Sequence, residues 1–149
     1  MPEIYTPEWY EAMLELANSR DDISDKVPQG EWKIAVEVVG DGKSPYVPEG
    51  TTKNYFVRFL DGKVAEYQEY PDKVPGKGLH YRITGPASIF DGVAAEIVDP
   101  VEVGLNGTMK IRGDMRLLMQ HADMVNVIFE VYAQSGLTEW PLGKPPYAS

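Results

Sequence analysis

The most informative part of the chain is the segment 99–115, which reads DPVEVGLNGTMKIRGDM. A proline directly after Asp99 is typical of the first turn of a short helix. Apolar and charged residues then alternate over 107–112, which predicts a strand. Gly113 and Asp114 predict a turn and a helix cap. The segment therefore indicates a short helix, a strand and the beginning of another helix.

The residues that follow this segment have the spacing of one helical face. They predict one long helix or two consecutive helices over 114–133, followed by an irregular tail over 134–149 that contains several prolines and glycines. The apolar positions on that face are Met115, Leu118, Met119, Ala122, Val125 and Phe129.

The part of the chain before this segment predicts further helices and strands. Trp32 and Ile34 begin an apolar series that alternates with polar residues, as in a half-buried strand. Asp61 and Gly62 lie between two apolar runs, which is the strongest local signal for an antiparallel hairpin. The predicted elements are a helix at 6–18, strands at 31–38, 55–60, 63–67 and 79–84, and a short helix at 87–95.

Composition narrows the possible functions. The chain has 149 residues, which is the usual size of one domain, and 43% of them are hydrophobic. With 14 basic and 23 acidic residues, its net charge is −9, which argues against nucleic-acid binding. The chain contains no cysteine, so disulfides and sulfur-based metal sites are excluded. No apolar run is long enough to span a bilayer and the N-terminus lacks a secretion signal, so we expect a cytoplasmic protein without integral membrane association.

Catalytic signatures are absent from the sequence. It contains no nucleophile elbow, phosphate-binding loop or dinucleotide fingerprint, and its two histidines, His80 and His121, have no metal-ligand spacing. We therefore predict no catalytic residues, no metal and no cofactor. The enzyme alternative is a small cavity enzyme acting on an apolar substrate, with His80, Tyr81 or Asp91 as acid or base.

Three segments together resemble the sterol carrier protein type-two family. They are YRIT at 81–84, SIFD at 88–91 and the segment 99–115, which is similar to the family's passage from strand to helix. The resemblance implies that residues 1–149 form a single α+β domain with an apolar tunnel. A five-stranded, mostly antiparallel sheet would be covered on one face by helices, and the strand count from the residue pattern agrees. The chain departs from the family at 95–98 and at Leu105, which would alter cavity walls.

The resemblance implies non-catalytic binding or transfer of a lipid or another apolar small molecule, such as a fatty acid, an acyl-CoA or a sterol-like molecule. Two alternatives stay open: the cavity enzyme above, and a scaffold or homodimerisation domain whose cavity is filled by its own side chains. The methionines fit either a core or a cavity wall, because Met fills irregular gaps. Strand alternation and helical phase predict the ligand-binding residues Trp32, Ile34, Phe56, Phe90, Val101, Leu105, Met109, Ile111, Met115, Leu118, Met119, Met124 and Ile128.

Overall fold

The computed structural model describes residues 3–19, 21, 25, 29–120 and 138–147. The elements are α1 (Pro7–Ser19), β1 (Glu31–Val39), β2 (Thr52–Leu60), β3 (Lys63–Tyr70), β4 (Tyr81–Pro86), α2 (Ala87–Ala94), α3 (Pro100–Leu105), β5 (Lys110–Gly113) and α4 (Met115–Gln120).

The strands form one five-stranded sheet in the order β3-β2-β1-β4-β5. Strands β1, β2 and β3 pair antiparallel along the chain, and β4 pairs antiparallel with β5. The one parallel pair joins β1 to β4, with Ile34 opposite Tyr81 and Val38 opposite Gly85. The α+β class and the mostly antiparallel sheet predicted from the sequence are therefore confirmed.

The predicted hairpin between β2 and β3 is also confirmed. Asp61 and Gly62 have positive φ angles of 48° and 85°, which a two-residue turn of the favoured hairpin type requires at both central positions. The Asp61 carboxylate accepts a hydrogen bond from the backbone N–H of Gly30, at 3.0 Å, which ties the turn to the start of β1.

The two faces of the sheet differ in chemistry. Because side chains alternate along a strand, the strand register places Trp32, Ile34, Val36 and Val38 of β1 on one side, which we call the apolar face. The other face carries charged groups, including a 2.8 Å ion pair between Arg82 and Glu37. The apolar face continues through Tyr55, Val57, Phe59, Val64, Tyr67, Tyr81, Ile83 and Ile111.

Helices α1, α2 and α3 pack against one end of the apolar face. Trp9 of α1, Phe90 of α2 and Val103 of α3 share a buried cluster with Val38, which we call the Phe90 cluster. Gly85 leaves room for this packing, because a Cβ atom there would lie 3.0 Å from Met109 Cγ and 3.2 Å from Phe90 Cε2. The core therefore lies between these helices and β1, β2 and β4.

The first and last described segments lie next to each other. Glu3 and Glu139 form an isolated parallel bridge, and the N–H of Ile4 donates to the Glu139 carbonyl at 3.1 Å. The indole N–H of Trp9 donates to Thr138 Oγ1 at 2.8 Å. The part of the predicted irregular tail that the structure describes is thus fixed against α1 and the segment before it.

The predicted element bounds agree closely with the structure in most places. Helix α2 matches the predicted short helix, whereas β4 begins at Tyr81 rather than at position 79. Of the helix predicted over 114–133, the structure describes the first turns as Met115–Gln120, and the remainder lies outside the described residues. Within the described ranges, no helix is long and apolar enough to cross a bilayer.

Candidate apolar ligand site

The second hydrophobic cluster on the apolar face is less well covered than the first. Its buried members are Ile34, Phe59 and Tyr81, from three different strands. The side chains packed against them are only partly buried, and they are Trp32, Val36, Val57, Val64, Ile83 and Ile111. We call this set the Trp32 cluster. It presents partly exposed carbon surface on all five strands of the sheet.

The two clusters meet on the sheet but differ in burial. Val36 and Ile83 pack against both of them, so the apolar surface is continuous. Phe90 and Met109, in the Phe90 cluster, are each only 2% exposed. Partly exposed apolar side chains that form a contiguous patch mark a surface that something else covers. The Trp32 cluster is therefore the candidate ligand surface.

Three of the predicted ligand-binding residues come together in the Trp32 cluster. These are Trp32 and Ile34 of β1 and Ile111 of β5. Two others, Phe90 and Met109, belong instead to the solidly packed Phe90 cluster. Their burial against Gly85 assigns them to the core, beside the candidate surface rather than on it.

Phe56 does not join either cluster. The strand register pairs it with Ala35 and Gln68, so its side chain lies on the face opposite the apolar one. Its ring contacts Tyr70 edge to face, with centroids 6.3 Å apart. Phe56 therefore lies away from the Trp32 cluster, and Val57 is the β2 residue at that position, so a role for Phe56 in ligand binding stays a prediction.

The remaining predicted residues lie away from the cluster or lack described side chains. Met115 and Met119 of α4 are 44% and 77% exposed. Val101 and Leu105 lie in α3, Leu118 lies in α4, and Met124 and Ile128 lie outside the described residues. A role for these last five side chains in ligand binding stays a prediction.

A stack of three tyrosines borders the Trp32 cluster. Tyr10 of α1 lies with its ring centroid 4.5 Å from that of Tyr55 and 4.7 Å from that of Tyr67. Tyr67 pairs with Val57 across the strands, which places the stack directly beside the cluster. Burial raises the pKa of both Tyr55 and Tyr67, so their phenols are neutral at physiological pH. The phenols that border the site are therefore aromatic groups without charge.

A buried carboxyl group at α2 is the main polar feature of the helical side. Asp91 is fully buried and accepts hydrogen bonds from the hydroxyls of Tyr5 and Tyr147, the latter at 2.6 Å. Ser44 also hydrogen bonds to it. Asp91 thus joins the first described segment, the last one and the loop after β1. The helix cap predicted at Asp114 is a separate feature, and there the carboxylate accepts from the N–H of Leu117.

Asp91 and the nearby Asp41 differ in their acidity. Burial raises the pKa of Asp91 above its usual value, although hydrogen bonds from Ser44, Tyr147 and Tyr5 oppose this. Burial acts in the same direction on Asp41, but hydrogen bonds from Ser88 and from the backbone outweigh it and lower the Asp41 pKa. Asp41 is therefore the more acidic of the two, and its charge further disfavours ionisation of Asp91.

The raised pKa predicts a pH dependence of stability. With a folded pKa above 3.8, the native state binds a proton at Asp91 more readily than the unfolded state does. The stability contributed by this proton is present in full below the unfolded pKa and is lost as the pH rises through the folded pKa. We expect the unfolding free energy of wild type minus that of Asp91→Asn to fall as the pH rises from about 4, measured by urea unfolding. A difference that stays flat or rises would contradict this.

The side chains of the enzyme alternative are held in separate structural contacts. His80 Nδ1 accepts from the backbone N–H of Lys33 at 2.9 Å, and the Tyr81 hydroxyl donates to the Asp114 carbonyl at 3.0 Å. The Asp91 carboxylate accepts hydrogen bonds from the hydroxyls of Tyr5 and Tyr147. Among the residues that the structure describes, no group of three His, Cys, Asp or Glu side chains could hold a metal ion.

Comparison with known proteins identifies the architecture. No protein-family model matches the sequence, and no curated protein matches it either. The structure aligns with one described as sterol carrier protein 2 at a TM-score of 0.74 and 13% identity, over 89% of this chain and 98% of the other. The fold is that of sterol carrier protein 2.

Two further structures share the sterol carrier protein 2 fold to different extents. A conserved hypothetical protein from Thermus thermophilus, described as possibly sterol carrier protein, aligns at a TM-score of 0.69 and 13% identity, over 93% of this chain and 92% of the other. A sec-alkyl sulfatase double mutant aligns at 0.52 and 16% identity, over 80% of this chain but only 16% of its own. The sterol carrier protein 2 fold thus forms one part of that longer chain.

Proposed function

We propose that this protein is a cytoplasmic, non-catalytic carrier that binds a lipid or another apolar small molecule, such as a fatty acid, an acyl-CoA or a sterol-like molecule. The ligand would lie against the Trp32 cluster, between the sheet and its helical cover. The observation that carries this proposal is the contrast within one sheet face: the Phe90 cluster is closed by helices, whereas most of the Trp32 cluster is only partly buried.

The chemistry of the surface suits an aliphatic or ring-shaped hydrocarbon. Trp32, Val57 and Ile111 contribute only carbon surface and one indole group, so recognition would depend on burial of apolar area. Each buried methylene contributes roughly 0.8 kcal/mol, and a chain of about ten therefore supplies about 8 kcal/mol before ordering costs. This is sufficient for useful affinity without a polar contact.

The structural neighbours support the same class of ligand. Two of them are described as sterol carrier protein or possibly so, and the structure shares their fold over most of both chains. At 13% identity the fold alone is shared, so the choice of ligand within the apolar class rests on the side chains of this chain.

Adjacent residues of β2 provide a matched test of ligand binding. Val57 lies on the apolar face and Phe56 on the opposite one, and both are partly buried. Val57→Asp should weaken binding of a fluorescent fatty acid or sterol at least tenfold, because a carboxylate would be left against the ligand's hydrocarbon. Phe56→Asp should leave the affinity close to that of wild type. Titrations with both variants, each shown by circular dichroism to be folded, would measure this.

The wild-type titration carries the proposal itself. Saturable binding should shift the emission of Trp32, and Trp32→Phe should remove that shift whereas Trp140→Phe should retain it. A well-folded wild type that binds neither fatty acid, acyl-CoA nor sterol would overturn the proposed function. Equal losses of ligand affinity in Val57→Asp and Phe56→Asp would overturn the placement of the ligand on the apolar face.

A further inference from the structure

A concentration of positive charge stands out on an acidic protein. The net charge is −9, yet Lys110, Arg112 and Arg116 lie within seven positions on the edge strand β5 and the start of α4. All three side chains are exposed. The acid among them, Asp114, uses one carboxylate oxygen to accept from the N–H of Leu117 at 3.1 Å. This edge therefore differs in sign from the protein as a whole.

None of these three cations is neutralised by an ion pair in the described part of the chain. Four other basic side chains do have acidic partners there, with N–O distances of 2.8 to 3.7 Å. The pairs join Lys33 to Glu31, Lys53 to Glu69, Arg58 to Glu31 and Glu66, and Arg82 to Glu37. The charges of β5 and α4 are thus available to an anion outside the molecule.

Exposed apolar side chains accompany the cations. Met115 and Met119 are 44% and 77% exposed, although methionine is usually found inside proteins. They are four positions apart in α4 and therefore lie on the same side of that helix. We define the basic edge as Lys110, Arg112, Met115, Arg116 and Met119. It combines positive charge with flexible hydrocarbon side chains.

We propose that the basic edge docks this protein on the surface of an anionic lipid bilayer. Its cations would contact phosphate groups while its methionines enter the boundary between headgroups and acyl chains. The negative charge of the rest of the molecule would be repelled by the same surface, so approach through this edge is favoured. Ile111 lies between Lys110 and Arg112 and belongs to the Trp32 cluster, so β5 carries the cations on one face of the sheet and part of the proposed ligand surface on the other.

Vesicle binding without added ligand tests this proposal independently of the proposed function. Wild type should co-sediment with vesicles of phosphatidylglycerol and phosphatidylcholine, but not with phosphatidylcholine alone, and added salt should weaken binding. The triple variant Lys110→Gln, Arg112→Gln, Arg116→Gln should lose about 100-fold in affinity. The matched control carries the same charge change at the exposed residues Lys43, Lys73 and Lys144 and should lose far less.

Substitution of the two methionines distinguishes membrane docking from purely electrostatic binding. Met115→Ser with Met119→Ser should weaken vesicle binding several-fold and leave its salt dependence unchanged, because no charge is altered. Absence of wild-type binding at low salt, or equal losses in the two triple variants, would overturn the proposal. Retention on immobilised polyglutamate without vesicle binding would also overturn it and would assign the basic edge to an acidic protein.

Discussion

Phe90→Ala should lower the free energy of unfolding by about 4 kcal/mol. The Phe90 ring is only 2% exposed and packs among residues of α1, α3 and the sheet, close to Gly85. Truncation removes its buried area and leaves a cavity, because the flanking helices and strands can relax only partly. Urea unfolding followed by circular dichroism would measure the change.

The control for this prediction is Ile97→Ala, since Ile97 is an apolar side chain that is 53% exposed. Its loss should change the unfolding free energy by about 0.5 kcal/mol or less. A loss below about 1.5 kcal/mol for Phe90→Ala would mean that the Phe90 cluster is loosely packed. In that case the distinction between a closed core and a partly open ligand surface would fail.

Asp91→Ala should cost about 3 kcal/mol of stability. Removing the carboxyl group leaves the hydroxyls of Tyr5 and Tyr147 without their acceptor and breaks the connection among α2, the first described segment and the last. A buried hydroxyl donor that loses its acceptor no longer offsets its desolvation free energy, so the free energy of unfolding falls. Urea unfolding at neutral pH, with exposed Glu102→Ala as the control, would measure this loss.

A combined variant distinguishes lost hydrogen bonds from lost packing. Asp91→Leu together with Tyr5→Phe and Tyr147→Phe removes the acceptor and two of its three hydroxyl donors, so only the Ser44 hydroxyl loses its Asp91 partner. We expect it to recover most of the stability lost in Asp91→Ala, since replacing a whole buried polar group by apolar side chains is often nearly neutral. If the combined variant is less stable than Asp91→Ala, loss of these hydrogen bonds is not the cause of the lower stability of Asp91→Ala.

Local patterns predicted most of the fold. The alternation in β1, the hairpin at Asp61 and Gly62 and the helix cap at Asp114 each depend on neighbouring residues, and all three are confirmed. The parallel pairing of β1 with β4 was beyond local patterns, since it joins strands separated by the whole β2–β3 hairpin. Tyr5 and Asp91 are 86 positions apart in the sequence, so no local periodicity could predict the contact between them.

The candidate site was predicted in part, for a reason visible in β2. Tyr55, Val57 and Phe59 share a face, and Phe56 shares the other face with Arg58. The charged Arg58 marks the polar side of the strand, so the alternation does contain the signal for Val57. For Phe90 and Met109, an apolar residue type predicts burial but cannot distinguish a packed core from a cavity wall.

The bridge between Glu3 and Glu139 places the first and the last described segments side by side. A domain arranged in this way can be appended to another protein or inserted within one without pulling its layers apart. The sec-alkyl sulfatase, in which a comparable fold occupies 16% of a longer chain, is an instance of such modular use.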